Sequence, residues 1–282
     1  MLNRAAGVDI AGTDVLSGGM RSVILACLVG GIVASGPYRR MAFAAPPVVL
    51  VDEAHGEKFL IEGTGKLDLS KLGAAFRAVG AQVESNKKEL TDDRLAHVDG
   101  LVVSGAFKAF TDAEIDAVMH FLERGGRLVV MLHIPFPLTP LLRRLHVDFS
   151  NGVIHERAHV IGDDPINFQV TDLSPHALTR NVDALAVFGA WALMNEDKDA
   201  TIIARTGPTA WVDLNGNNQL DKGDAVQSFG VAVAGQAGRG QFVVFGDDAI
   251  FQNEFLTKDN AVLAKNLACW LARTTCQAGG ST

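Results

Sequence analysis

Four short segments constrain this chain more than anything else in it. Val48–Asp52 (VVLVD), Leu101–Ser104 (LVVS), Arg127–Ile134 (RLVVMLHI) and Gln241–Phe245 (QFVVF) are apolar almost throughout. A strand with one wet face alternates apolar and polar residues. These runs do not, so both of their faces must be covered. Helical patterns lie between them. Asp68–Val79 carries Leu69, Leu72, Phe76 and Val79 at helical spacing and is closed by Gly80. Thr111 and Glu114 form a capping box ahead of Ile115, Val118, Met119 and Leu122, and Gly125-Gly126 ends that helix. Asn260–Arg273 is a last helix. Strands alternating with helices predict an α/β fold with an open, doubly wound, mostly parallel sheet and right-handed crossovers. Residues 135–200 lack a clean period and predict an irregular β-rich insertion. Gly230–Ala234 and Gln241–Phe245 flank Gly238-Arg239-Gly240, which predicts a hairpin.

The domain division expected is a leader at 1–44, one α/β domain at 45–275 and a disordered tail at 276–282. Residues 22–36 (SVILACLVGGIVASG) are apolar and small, preceded by Arg21. The run is too short for an ordinary transmembrane helix and suits a signal-peptide core, with Ala42-Phe43-Ala44 as its cleavage site and Met20 as a natural start. Arg39 and Arg40 after the core keep an uncleaved membrane anchor as the alternative. Either way the domain is expected to be exported, periplasmic or extracellular, and to meet the membrane only through the leader.

Charge excludes one class of partner. The chain has 25 Lys and Arg against 32 Asp and Glu, a net charge of −7. Without the leader it is more acidic still, and it has no basic cluster of the kind that tracks phosphate backbones. Nucleic acid is not an expected partner. The three cysteines, Cys27, Cys269 and Cys276, show no zinc spacing. Cys269 and Cys276 would stand about 10 Å apart on a continuous helix, too far for a disulfide, so a bridge requires the helix to end before Cys276.

Ligands of open parallel sheets bind outside the carboxyl ends of the strands. Here those ends carry Asp52, Glu53, His55, Ser104, His133, Asp247 and Asp248, which together predict one ligand crevice. Carboxylates and imidazoles serve acid–base chemistry or metals, so a hydrolase built on this cluster is the alternative to a binding role. Asp52 and Asp247 read equally as turn caps, and His133 as a satisfied buried histidine. Ser104 lies in VVSGA, which lacks the Gly-x-Ser-x-Gly elbow of a serine nucleophile.

A second motif is a twelve-residue calcium loop, Asp213–Asp224. Asp213, Asn215, Asn217, Asp221 and Asp224 put oxygen side chains at loop positions 1, 3, 5, 9 and 12, and Gln219 at position 7 can give its backbone carbonyl. Asn218 stands at the glycine position and Asp224 at the bidentate glutamate. A weak extracellular-type Ca²⁺ site is expected, with a polar turn as the alternative. No organic cofactor is indicated.

Asp52-Glu53-Ala54-His55-Gly56, Leu101–Phe107, Thr111-x-x-Glu114 with Gly125–Leu128, and Phe245–Asp248 resemble, in this order, the class I glutamine-amidotransferase-like superfold, a flavodoxin-like doubly wound sheet. The resemblance covers residues 47–272. It is nearest to a non-catalytic branch found in gliding-motility and intraflagellar-transport proteins and in bacterial proteins of unknown function. True amidotransferases set a cysteine nucleophile on an elbow after a central strand. Cys269 and Cys276 fall in or after the last helix, and His133-Ile134-Pro135 stands where a nucleophile would. The resemblance therefore implies a non-catalytic ligand- or partner-binding module of the envelope, accessory to a transporter or surface assembly. Its partner is a small ligand or an envelope protein.

Overall fold

The computed structural model describes residues 45–196 and 198–276. The expected leader and cleavage site lie outside them, as does the expected tail beyond Cys276. No helix among the described residues is long and apolar enough to cross a membrane.

The chain opens with β1 (Val48–Asp52), α1 (Ser70–Ala78), β2 (Gln82–Asn86), α2 (Asp92–Leu95), β3 (Gly100–Ser104), α3 (Asp112–Glu123) and β4 (Arg127–Met131). After α4 (Thr139–Arg144) come β5 (Val147–His155), β6 (Val160–Ile161), β7 (Asp164–Val170), β8 (Asp172–Leu173), β9 (Leu185–Phe188) and β10 (Trp191–Asn195). Then follow β11 (Ala200–Arg205), β12 (Trp211–Val212), β13 (Ala225–Val226), the hairpin of β14 (Gly230–Ala237) and β15 (Gly240–Phe245), and α5 (Lys258–Leu271).

Twelve strands form one open, mixed sheet in the order β13-β12-β5-β10-β14-β15-β4-β3-β1-β2, with β11 also on β14 and β8 on β11. Pairing is parallel from β2 through β1, β3 and β4 to β15. Beyond β15 every pairing is antiparallel. β6, β7 and β9 make a separate antiparallel sheet. The four apolar segments are thus neighbours in one sheet, as their composition predicts.

The two faces of the parallel strands feed two cores. Val49, Val51, Val102, Val129 and Met131 pack with Leu72 and Phe76 of α1 and Leu263 and Leu267 of α5. The alternate residues Leu50, Leu101, Val103, Leu128 and Val130 pack with Ile115, Val118 and Phe121 of α3 and Leu141 of α4. Both faces are dry, which explains the absence of polar alternation. The capping box of α3 is complete: Glu114 N–H donates to Thr111 Oγ1 and Thr111 N–H to Glu114 Oε2.

Two expectations change. The middle of the chain is only partly an insertion, because β5 and β10 extend the main sheet while β6, β7 and β9 form the separate one. β10 hides in the run Leu185–Met194, where apolar residues continue through Gly189 without a period to read. Cys269 and Cys276 are joined by a disulfide, with Cα atoms 5.5 Å apart. The helix stops at Leu271, Arg273 takes a left-handed φ of 54°, and the chain turns back. Cys276 thereby belongs to the folded unit rather than to a tail.

Candidate functional site

The carboxyl ends of β1, β3, β4 and β15 are level in the sheet, since Val51 pairs with Val102, Ser104 with Met131, and Met131 with Phe245. Each strand therefore delivers its polar residues to the same edge. They do not share one crevice.

At the end of β1, His55 sits between two carboxylates. Its Nδ1 lies 2.5 Å from Asp52 Oδ2 and its Nε2 3.1 Å from Glu114 Oε1. Phe110 covers the imidazole with ring centroids 3.9 Å apart. Asp52 Oδ1 accepts from Asn86 Nδ2 at 3.0 Å. Glu114 accepts from Leu90 N–H at 3.2 Å and from the Thr111 hydroxyl at 2.8 Å. Glu57 Oε2 accepts from the backbone N–H of His55 at 2.8 Å, while Glu57 Oε1 is buried without a hydrogen-bond partner. Asp52, His55, Glu57 and Glu114 are all under 9% exposed.

Charge follows from this packing. Burial alone would lower the His55 pKa, but the hydrogen bond and charge of Asp52, helped by Glu114 and Glu57, raise it. Burial likewise works against Glu114, and the Thr111 and Leu90 donors hold its carboxyl below the usual range. Glu57 is pushed up to about 8, first by burial and then by the charge of Asp52. The acids around His55 thus favour its protonated form, while burial favours the neutral form of Glu57. Glu53 is not part of it, because its carboxylate accepts from Ile61 N–H and the Ser85 hydroxyl.

Above His55 opens a groove of about 910 Å³, lined by Ala54, Lys87, Lys88, Arg94 and Lys108 among others. Arg94 is tied to Glu84 at 3.0 Å. Lys87, Lys88 and Lys108 are exposed and make no ion pair among the described residues. The exposed acids Glu89 and Asp93 line the same groove, so its rim is mixed in charge with a small excess of lysines.

His133, Asp247 and Asp248 border a different cavity of about 350 Å³, walled by Phe59, Phe188, Trp191 and Phe255. His133 Nδ1 is 3.2 Å from Asp248 Oδ1, and its ring packs against Phe59 and Phe107. The Asp248 hydrogen bond raises the His133 pKa against the effect of burial. Asp247 is a cap: its oxygens accept from Phe188 N–H at 2.7 Å and Ala249 N–H at 2.8 Å. Burial, then the neighbouring Asp248, pushes Asp247 up to about 8. Ser104 is 1% exposed and its hydroxyl has no hydrogen-bond partner, so no base draws off its proton. The expected single crevice is therefore two cavities. The turn Phe107–Lys108 stands between them, with both of its N–H groups bonded to His55 O.

The loop Asp213–Asp224 closes on itself. Asp213 accepts from the N–H groups of Asn215, Gly216 and Asn218. Asn215 and Asn217 turn their amide nitrogens, not their oxygens, to Asp221 Oδ2, each at 2.8 Å. Asp224 accepts from Leu214 and Asp221 N–H. Gln219 joins only through its backbone N–H, to Asn217 Oδ1. Asn218 has a φ of 58°, the left-handed conformation its motif position demands.

Two residues of this cluster do not follow from the strand-end pattern. Glu57 stands two positions beyond His55, in Asp-x-x-His-x-Glu spacing. Glu114 read as a capping residue only, because its second contact, His55, is 59 positions away.

The described fold resembles solved structures at low identity. The mmIFT52 N-terminal domain superposes with a TM-score of 0.63 at 19% identity, covering 79% of this chain and 97% of that one. Cytoplasmic Protein STM1381 from Salmonella typhimurium LT2 gives 0.53 at 13%, covering 80% and 99%. Cytoplasmic Protein STM3548 from Salmonella typhimurium gives 0.51 at 15%, covering 79% and 98%. At such identities the likeness is one of fold alone. No curated protein matches the chain. Residues 66–268 match the family model described as Domain of unknown function (DUF4350), and over that span, most of its length, the chain belongs to this family.

Proposed function

We propose that this chain is a non-catalytic binding module of the cell envelope, taking a small anionic ligand in the groove above His55. The observation that carries the reading is that the best candidates for acid–base work, His55 and Asp247, are spent on neighbouring groups. Both nitrogens of His55 face carboxylates, and both oxygens of Asp247 hold backbone N–H groups. On the groove rim Lys87, Lys88 and Lys108 make no ion pair among the described residues, and they outnumber the exposed acids Glu89 and Asp93. The strand order β2-β1-β3 supports the position, because the chain reverses direction across the sheet between β1 and β3. That order, with helices packed in two cores, also supports the doubly wound, glutamine-amidotransferase-like reading. The apolar leader is the support for export.

The test has two arms. In chelator, inorganic phosphate should raise the melting temperature of the full chain but not of the Lys87→Glu/Lys108→Glu variant. Nitrophenyl esters should show no turnover. Ester turnover that disappears in His133→Ala overturns the non-catalytic reading and restores the hydrolase alternative.

Calcium at Asp213–Asp224 belongs to the same proposal. Its support is the left-handed Asn218 and the three N–H groups that hold Asp213 below the usual carboxylate range, Asn218's foremost. Calcium requires the Asn215 and Asn217 amides to turn their oxygens inward.

A further inference from the structure

The groove floor holds a set of atoms that the ligand reading leaves unused. Three carboxyls, those of Asp52, Glu57 and Glu114, surround one imidazole, and every one of these side chains is buried. His55 has two ring nitrogens and satisfies two carboxylates, Asp52 and Glu114. Glu57 is left beside the carboxyl of Asp52, whose proximity favours its neutral form unless a cation enters. Its Oε1 is shut away from water without a hydrogen bond. Buried polar atoms without partners are exceptions, and they ask for a missing ion or water.

The arrangement has a further regularity. Each of three side chains has one atom held by the protein and one directed inward. Asn86 holds Asp52 Oδ1, and Oδ2 is turned to His55. The His55 N–H holds Glu57 Oε2, and Oε1 is the unpartnered atom. Glu114 faces His55 Nε2, and Nδ1 is turned to Asp52. The nearest donor atoms of Asp52, His55 and Glu57 lie within 4.8 Å of one another. Metal sites are supported in this way: a carboxylate accepts from the far nitrogen of a ligating histidine and fixes its orientation.

We propose that Asp52, His55 and Glu57 bind one divalent transition-metal ion, with Glu114 and Asn86 orienting the first two. One imidazole with two carboxylates suits Zn²⁺ better than Mg²⁺, which prefers an all-oxygen shell and keeps its waters. Three protein ligands leave a fourth tetrahedral position. Bonds of about 2.0–2.2 Å require Asp52 Oδ2 and His55 Nδ1 to part slightly to admit the ion. The inference stands apart from the anionic ligand, which the lysines attract with or without a metal.

The test uses the metal alone. Full-length chain, stripped with chelator and dialysed against equimolar Zn²⁺, should retain one zinc per chain by elemental analysis. Replacing Zn²⁺ by Co²⁺ should give the visible absorption of a tetrahedral site. Glu57→Gln keeps the shape and the His55 N–H acceptor. It should lower zinc affinity at least tenfold and abolish the cobalt band without changing the circular dichroism. Asp213→Ala, in the remote loop, should leave both signals intact. A wild-type chain that retains no zinc overturns the site. So does a Glu57→Gln variant that retains it as well as wild type, or an Asp213→Ala variant that loses it.

Discussion

The parallel and antiparallel regions of the one sheet obey different rules. β3 and β4 are buried on both faces and packed between helices, and every residue from Leu101 to Val103 and from Leu128 to Met131 is inaccessible. β5 and β10 alternate or mix buried and accessible positions, and exposed Met194 lies within β10 itself. Covering both faces fixes composition and leaves function only to the strand ends. Strands with an accessible face carry weaker sequence signals, and their loops are free to host motifs such as Asp213–Asp224.

Substitutions should make the contrast quantitative. Leu101→Ala, at a fully buried site, should cost about 2–5 kcal/mol in denaturant unfolding, from lost transfer energy and the cavity left behind. Val226→Ala, at an exposed site on β13, should cost under about 0.5 kcal/mol. Equal costs would break the comparison.

Asp247 sits just past the end of β15, where the parallel and antiparallel regions meet, and is bonded to Phe188, the last residue of β9. Its folded pKa of about 8 lies above the unfolded carboxylate value of about 4. The folded state therefore binds the extra proton. The stability this contributes is complete below about pH 4 and is lost as pH rises toward about 8. Melting temperature should fall from pH 5 to pH 8, and Asp247→Asn should flatten that part of the slope. An unchanged slope in the variant would assign the pH dependence to other groups.

The disulfide sharpens the comparison at its smaller end. It closes a loop of few residues, so Cys276→Ser should cost no more than about 2.5 kcal/mol, by the entropy of so short a closure. A larger loss would mean that the turn after α5 supports the parallel core directly. The smallest effect is calcium. At about ten times the dissociation constant, binding adds roughly 1.4 kcal/mol to stability. Melts in chelator and in millimolar calcium should differ accordingly, and Asp213→Ala should remove the difference. Identical melts leave the loop as a polar turn.

How much was legible follows the same division. Val48–Asp52 and Arg127–Met131 could be read because helix burial on both faces leaves no alternative composition. Thr111 and Glu114 could be read because capping is local. β10 could not, since Trp191–Asn195 is recognisable only beside β5, about 40 residues earlier by the register of Trp191 with Val153. The site was legible as a set of strand-end residues and illegible as a geometry. The sequence does not say that His55 and His133 face separate cavities, nor that Glu114 reaches back to His55.

The partner of β4 on its far side is β15, in parallel register from Arg127 with Gln241 to Met131 with Phe245. During synthesis that partner emerges only after the whole antiparallel region has been made. Until then β4 presents an apolar edge of 5 residues with unpaired N–H and C=O groups, the kind of template on which chains aggregate. Such non-local pairing is also slow to form. The kinetic weak point of this protein is therefore not its groove or its loop but a waiting strand edge. Chains cut short before Gln241 should collect as insoluble material, whatever their intact helices and ligand groups would otherwise support.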